Sequence, residues 1–195
     1  MDKKKCYEIL NKISKNCNED NSGFITQKKK HKNVVTIYGE LLPQSVTQIL
    51  DRLNVKKNDI FYDLGSGTGR ICLQVYLEKD IKCIGIEYVK PRHDIAEKSL
   101  NLLKKIYKNT RKIKFINSDF FDIDWSDATI IYICNTCMGK NITNKILKKI
   151  KNLPKLKYVF TVSELPLVKF LNLKETILTP TSWSDNTYTY IYEKI

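Results

Sequence analysis

Histidine is nearly absent from this chain: His31 and His93 are the only two in 195 residues. Neither a histidine-based nucleophile system nor a histidine-rich metal site has enough parts. Long apolar runs are missing too. None approaches the ~20 residues of a membrane-spanning helix, and the opening Met1-Asp2-Lys3-Lys4-Lys5-Cys6 leads into polar sequence without a hydrophobic signal core. The chain therefore reads as intracellular, with no membrane partner. In that setting six cysteines read as reduced thiols rather than a disulfide framework. Cys134 and Cys137 form a C-x-x-C, but no second Cys or His pair stands at metal-ligand spacing, so no metal is expected. Acidic residues are the last shortage, 21 against 34 Lys and Arg, for a formal net charge of +13 and a pI near 9.4. Such an imbalance implies a regular anionic companion: nucleic acid, a nucleosome or an acidic protein face. A solvated surface in a Lys-, Asn- and Ile-rich proteome is the plainer alternative.

Against these absences one stretch is dense in meaning. Phe61-Tyr62-Asp63-Leu64-Gly65-Ser66-Gly67-Thr68-Gly69-Arg70 reads as an apolar strand running through a glycine-packed turn into a helix. Such a turn presents unpaired N–H groups, and Gly65 and Gly67 carry no Cβ to hold a ligand off the backbone. Farther on, the apolar run Cys83-Ile84-Gly85-Ile86 ends in Glu87, where an open α/β sheet places the carboxylate that grips a ribose. The glycines read G-x-G-x-G rather than the dinucleotide G-x-G-x-x-G. Asp63 precedes them by two residues and would repel a pyrophosphate. S-adenosyl-L-methionine has an ammonium, a sulfonium and no phosphate, so an acidic rim suits it better than it suits NAD. A tight left-handed connection in an ordinary α/β domain would show the same glycines.

The length suits one domain with a sheet between helix layers. Residues 1–33 stand apart by composition, with nine lysines against four acids, a net +5. They read as a short helix around Tyr7 to Ile13 followed by a flexible basic arm. A domain over residues 34–195 follows. Pro43 opens a helix to about Leu53 with Val46, Ile49, Leu50 and Leu53 on one face. Strands are expected over Ile60–Leu64, Ile81–Glu87, Lys112–Ile116, Ala128–Cys134 and Lys157–Val162. Helices are expected over Arg70–Leu77, from about Arg92 to Tyr107, and near Ile142–Ile150. Lys169–Leu178 and Thr187–Tyr192, joined across Pro180, look like a final antiparallel pair. The pattern describes a doubly wound, seven-stranded, mostly parallel sheet with a C-terminal antiparallel hairpin, the class I methyltransferase architecture.

In such sheets ligands sit beyond the carboxyl ends of the strands. Asp63, Gly65 and Gly67 follow the first strand and Glu87 the second. After the third come Asp119, which could accept from an adenine amine, and Phe120, which could cover the ring. The fourth delivers Asn135, whose carbonyl could accept from an amine. Each has a plainer reading as a turn cap or core residue. A nucleic-acid or small-molecule methyltransferase, and a non-catalytic binding module, share this fold. However, neither the N/D-P-P-aromatic turn nor the Pro-Cys nucleophile of DNA methyltransferases is present at Cys134-Asn135-Thr136-Cys137.

Further residues sharpen the picture. Tyr38-Gly39-Glu40 ahead of a helix, the Phe61–Gly67 turn, Leu73-Gln74-Val75, Gly85-Ile86-Glu87, Asp119-Phe120, Asn135 with Gly139, and Ser182-Trp183-Ser184 leading to Tyr190 resemble one family. It is the catalytic core of the disruptor-of-telomeric-silencing type, non-SET histone-lysine methyltransferases, from about Ile37 onward. The resemblance implies that Asp63, Gly65 and Glu87 hold the methionine and ribose ends of S-adenosyl-L-methionine, and that Asp119 and Phe120 take the adenine. Tyr38, Glu40, Ser66, Gly67 and Arg70 join them as cofactor-binding positions. Asn135 and Tyr190 would line the channel for the target lysine, with Asn135 also touching the cofactor. It further implies a nucleosome or histone as partner, a chromatin-containing compartment such as the nucleus, and a monomer. Two departures stand out. Thr136-Cys137-Met138 replaces an aromatic-rich stretch, and the region ahead of the core is reduced to some 35 residues, so nucleosome and nucleic-acid contact is expected from the basic arm and surface.

Overall fold

Residues 1–17, 39–107 and 110–195 are described by a computed structural model of the chain. Seven strands form one sheet: β1 (Ile60–Leu64), β2 (Lys82–Glu87), β3 (Ile113–Asn117), β4 (Ile130–Ile133), β5 (Tyr158–Thr161), β6 (Leu171–Thr179) and β7 (Thr187–Lys194). Their order is β3-β2-β1-β4-β5-β7-β6, parallel up to β5, with β7 antiparallel to both neighbours. The chain walks outward from β1 to β3 and then returns to lay β4 against β1. That reversal opens a crevice at the strand ends, where such sheets take their ligands.

Period-two alternation divides the core into two faces. Phe61, Cys83, Ile130, Tyr132 and Phe160 belong to one cluster, while Tyr62, Leu64, Ile84, Ile131 and Val159 belong to the other. The first is covered by α1 (Lys3–Cys17), α2 (Pro43–Arg52), α3 (Arg70–Lys79) and α4 (Lys90–Ile106), the second by α5 (Lys140–Lys151). The seven-stranded, doubly wound sheet and its closing hairpin are therefore as expected. Boundaries moved by a few residues. The helix expected from Arg92 begins at Lys90, because Pro91 fits a first helical turn. The strand expected from Ala128 begins at Ile130, since Thr129 bonds to the main chain of Ile60 first.

The amino terminus departs further from its reading as an arm. Its helix spans Lys3–Cys17, not only Tyr7–Ile13, and buries Cys6, Ile9, Leu10, Ile13 and Cys17 along one stripe. Burying such side chains is worth about 1.5–3 kcal/mol each. Polar contacts fix its register: the Tyr7 hydroxyl lies 2.7 Å from Thr47 Oγ1 in α2, and Cys17 Sγ lies 3.3 Å from Ser99 Oγ in α4. This helix belongs to the packed domain. The rest of the arm, residues 18–33, lies outside the described residues, as does Tyr38. Among the described residues no helix is long and apolar enough to cross a membrane.

Candidate functional site

The glycine turn is built by two donors sharing one acceptor. The N–H groups of Gly65 and Ser66 both donate to the Ile86 carbonyl, at 2.9 and 3.0 Å, which binds the exit of β1 to the end of β2. Gly65 has φ +98°, and no atom lies within 4 Å of the position its Cβ would occupy, so its backbone faces open space. Gly85 meets the opposite constraint. A Cβ there would lie 2.6 Å from the Phe115 ring and 2.7 Å from Ser66 Oγ, so β2 must carry glycine for the turn to pack on it. Glu87 completes the arrangement. Its Oε2 accepts from Gly67 N–H at 2.8 Å and its Oε1 from Val89 N–H at 2.7 Å, stapling the turn to the β2 exit.

Beyond these strand ends lies a cavity of about 570 Å3. Gly65 and Glu87 stand on one side of it, Asp119 and Phe120 at the end of β3, and Cys134, Thr136, Cys137 and Met138 on the β4 side. Asp119 Oδ1 accepts from Phe121 N–H at 2.9 Å, a turn cap that fixes the carboxylate at the wall. The Phe120 and Phe121 rings, 4.6 Å apart and tilted by 48°, form an aromatic corner suited to a planar base.

The electrostatics of this end oppose those of the whole chain. Asp63 is 1% exposed and Glu87 5%. Burial, then the charges of Glu87 and Glu40, push the Asp63 carboxyl well above the usual carboxylate range. Burial also raises Glu87, opposed by the N–H groups of Val89 and Gly67. Asp63 Oδ1 and Ser66 Oγ have no hydrogen-bond partner. A buried carboxyl with an unsatisfied oxygen, flanked by two further acids, is a place that a cationic group would stabilise. The open Gly65 backbone, the Glu87 carboxylate and the Phe120 corner thus fit the cofactor that the sequence suggested.

Two family-specific elements meet at the rim. Ser182 N–H donates to the Glu40 carbonyl at 2.9 Å, and Glu40 N–H donates to Ser182 Oγ at 3.1 Å. The pairing lays the Trp183 ring on Gly39, where a Cβ would come within 2.4 Å of it. Gly39 and Trp183 both border the cavity. Glu40 and Arg70 do not: Arg70 Nη1 donates to Glu40 Oε1 at 2.5 Å.

Asn135 and Tyr190 stand behind the wall rather than in it. The Asn135 amide makes two bonds to one residue, Nδ2 donating to the Ser163 carbonyl at 2.9 Å and Oδ1 accepting from Ser163 N–H at 2.8 Å. Ser163 lies just past β5, where the backbone leaves the sheet and needs other partners. That latch positions the Cys134–Met138 turn and leaves the amide one further N–H and one acceptor lone pair. Tyr190, in β7, pairs with Thr161 and packs against the second core cluster.

A sequence model of the family described as histone methylation protein DOT1 matches residues 25–177. The chain belongs to the DOT1 family. Among its relatives is the "Histone-lysine N-methyltransferase, H3 lysine-79 specific" of Dictyostelium discoideum, 27% identical over 128 residues, a match covering 61% of this chain and 7% of the relative. The protein of the same name from Caenorhabditis elegans is 31% identical over 129 residues, covering 59% of this chain and 14% of the relative. The chain thus spans only about a tenth of the length of the curated relatives it matches. Among solved structures, the RNA methyltransferase of Salinibacter ruber, in complex with S-adenosyl-L-homocysteine, superposes with a TM-score of 0.59. It is 21% identical, and the match covers 76% of this chain and 89% of that one. At that identity the likeness concerns the fold.

Within this DOT1 domain the residues missed by sequence reasoning are those whose neighbours were found. Tyr88 and Val89 follow Glu87, and Phe121 follows Phe120; all line the cavity. Following the strand-end rule two residues farther would have named them. Lys145, which reaches the cavity from α5, had no such signal.

Proposed function

We propose that this DOT1-family chain binds S-adenosyl-L-methionine at the β1–β2 end of the cavity and directs methyl transfer to a protein lysine, a histone lysine within a nucleosome. The observation that carries the reading is the buried, partnerless Asp63 oxygen beside an open Gly65 turn: a cation-seeking site in a chain of net charge +13. When bound, the cofactor supplies a methyl group already activated as a sulfonium.

The residues then have separable tasks. Asp63 and Glu87 attract the cationic and hydroxyl-bearing parts of the ligand, and Asp119 with Phe120 and Phe121 receives the base. Trp183, 45% exposed at the rim, shields the reacting end from water. The acceptor amine must arrive neutral, and a lysine of ordinary pKa near 10.4 is almost wholly protonated at pH 7. The apolar wall of Cys134, Met138 and Ile142 disfavours the ammonium and so helps expose the lone pair. Asn135 holds that wall in place, and Tyr190 supports it from β7.

The anionic partner is supported by a distribution of charge. From Ala128 to Ser163 the sequence has seven lysines and no acid. Lys140, Lys145, Lys148, Lys151 and Lys155 are exposed, on and just beyond α5. A phosphate backbone passing the cavity mouth would meet Lys140 and Lys145 first, and one running along α5 would meet the others, which agrees with a chromatin setting. The test is transfer of radiolabelled methyl from S-adenosyl-L-methionine to nucleosomes, free histones and total RNA. Methyl-lysine on histone, with nucleosomes the better substrate, is the expected result. Label in RNA alone would move the chain to nucleic-acid methylation, and saturable cofactor binding without any transfer would make it a binding module.

A further inference from the structure

We infer that α1, outside the stretch that defines the DOT1 family, is a working part of the cofactor site, and that Ser14 is a positioning residue acting through Arg70 on Glu40. The inference rests on the reading of the cavity given above, and it assigns Arg70 a different role from the cofactor contact implied by the sequence.

The geometry is a three-member relay. Ser14 Oγ accepts from Arg70 Nη2 at 2.6 Å, while Nη1 of the same guanidinium donates to Glu40 Oε1 at 2.5 Å. The fork of arginine is planar and rigid, so fixing one arm fixes the other. Both charged side chains are largely sheltered, at 21% and 13% exposure, where such a pair is weakly screened by solvent. The location of Arg70 also needs a reason beyond the helix it begins. It is the first residue of α3, directly after the Gly69 N-cap, where a cation opposes the helix dipole. Helix chemistry would prefer an acid or a neutral residue there, so the position is explained by what the guanidinium joins.

What it joins is the rim. Glu40 stands behind the cavity wall, near enough for its charge to contribute to the raised Asp63 carboxyl. Its main chain pairs with Ser182 and so carries the Trp183 ring against Gly39. Arg70 therefore balances one of three neighbouring carboxylates and holds the Gly39–Glu40 segment against which Trp183 packs. Ser14 sets the direction of Arg70. The serine can do this because α1 is locked at several points along its length, by its buried stripe, by Tyr7 on Thr47 and by Lys3 on Asp51 at 2.6 Å. Docking of an amino-terminal helix is thereby transmitted to the cavity mouth.

The decisive comparison uses the full chain as wild type, Ser14→Ala, Ser14→Thr and Arg70→Ala, with two readouts. Calorimetry with S-adenosyl-L-methionine, together with steady-state methylation, reports the site. Acrylamide quenching of tryptophan emission in the absence of cofactor reports the rim, because Trp125 is 1% exposed and Trp183 carries the accessible signal. Ser14→Ala is expected to raise Kd and KM for the cofactor about three- to tenfold at unchanged saturating kcat, and to increase quenching. Arg70→Ala should do both more strongly. Ser14→Thr keeps the hydroxyl and should restore both, which a general loss of stability would not. Unchanged affinity and quenching in Ser14→Ala, or failure of Ser14→Thr to restore them, would overturn the relay. Should the wild type bind no S-adenosyl-L-methionine while quenching still follows the Ser14 series, the cofactor reading falls and the relay stands.

Discussion

The two halves of the sheet solve the same problem with different materials. On the β1–β2 side, ligand-facing geometry is made by backbone: three positive-φ glycines, two N–H groups on the Ile86 carbonyl, and one carboxylate that accepts from two amides. On the β4–β5–β7 side it is made by side chains braced on distant main chain, Asn135 on the Ser163 backbone and Trp183 on Gly39. A site fixed by backbone allows few alternatives in sequence, whereas one fixed by bracing side chains can be rebuilt with others. The first half should therefore fail abruptly when altered, and the second by degrees.

The abrupt failure is sharpest at Glu87. Glu87→Ala removes the acceptor for the Gly67 and Val89 amides, and charge-assisted bonds of this kind are worth about 1.5–3 kcal/mol each. Affinity for S-adenosyl-L-methionine should fall by about a hundredfold or more in calorimetry. An affinity within threefold of wild type would show that the turn holds its shape without the staple. Asn135→Ala probes the other half. It leaves the Ser163 N–H and carbonyl without their partner, a cost of about 1–3 kcal/mol in unfolding free energy. Cofactor affinity should remain within a few-fold while kcat drops, as the Cys134–Met138 wall loosens. If the variant instead loses cofactor and keeps its rate at saturation, the division between the halves is wrong.

The same contrast governs how much could be read before the fold was known. The doubly wound sheet, the glycine turn and the acid that ends β2 were legible because backbone geometry imposes residue types: only glycine fits beneath Phe115 at position 85, and the Glu87 carboxylate collects two amides. Asn135 follows β4 as the pattern indicates, but its rotamer answers to Ser163, 28 residues away, which no local pattern announces. The bonds that the Arg70 guanidinium donates to Ser14 and Glu40 were likewise announced by no local pattern. The amino terminus was misjudged because lysine count outweighed periodicity. The stripe Cys6, Ile9, Leu10, Ile13 and Cys17 has helical spacing, and burial decided the matter.

A smaller effect separates the halves by pH. Burial and the neighbouring Glu87 and Glu40 raise the Asp63 carboxyl well above its ordinary value, so the folded chain holds that proton more tightly than the unfolded chain does. The associated stability is complete below the unfolded pKa of about 4 and is lost as pH rises through the raised value. Asp63→Asn removes that titration. The ligand-free variant should lose less stability than wild type between pH 4 and 8 and melt about 2–4 °C higher at neutral pH for each kcal/mol recovered. Glu87, raised in the same direction, should leave a residual slope. Identical pH profiles for the two proteins would mean that folding does not raise the Asp63 carboxyl.

The gentlest test concerns the outer surface of the second half. Truncation at residue 34 cannot measure the role of the basic amino terminus, because it would also remove α1 with its buried Ile9, Leu10 and Ile13 and uncover the faces of α3 and α4 on which it packs. Substituting exposed lysines avoids this. Lys148 and Lys151 lie on the solvent side of α5, opposite the buried Ile146, Leu147 and Ile150, so changing both to Gln should leave folding intact. Each phosphate contact contributes roughly 0.9 to the slope of log K against log salt concentration. If both lysines meet the backbone of nucleosomal DNA, the slope should fall by about 1.8. Methylation of free histone should be unchanged at the same salt. An unaltered slope would assign the positive charge of α5 to solvation and leave DNA contact to residues 18–33.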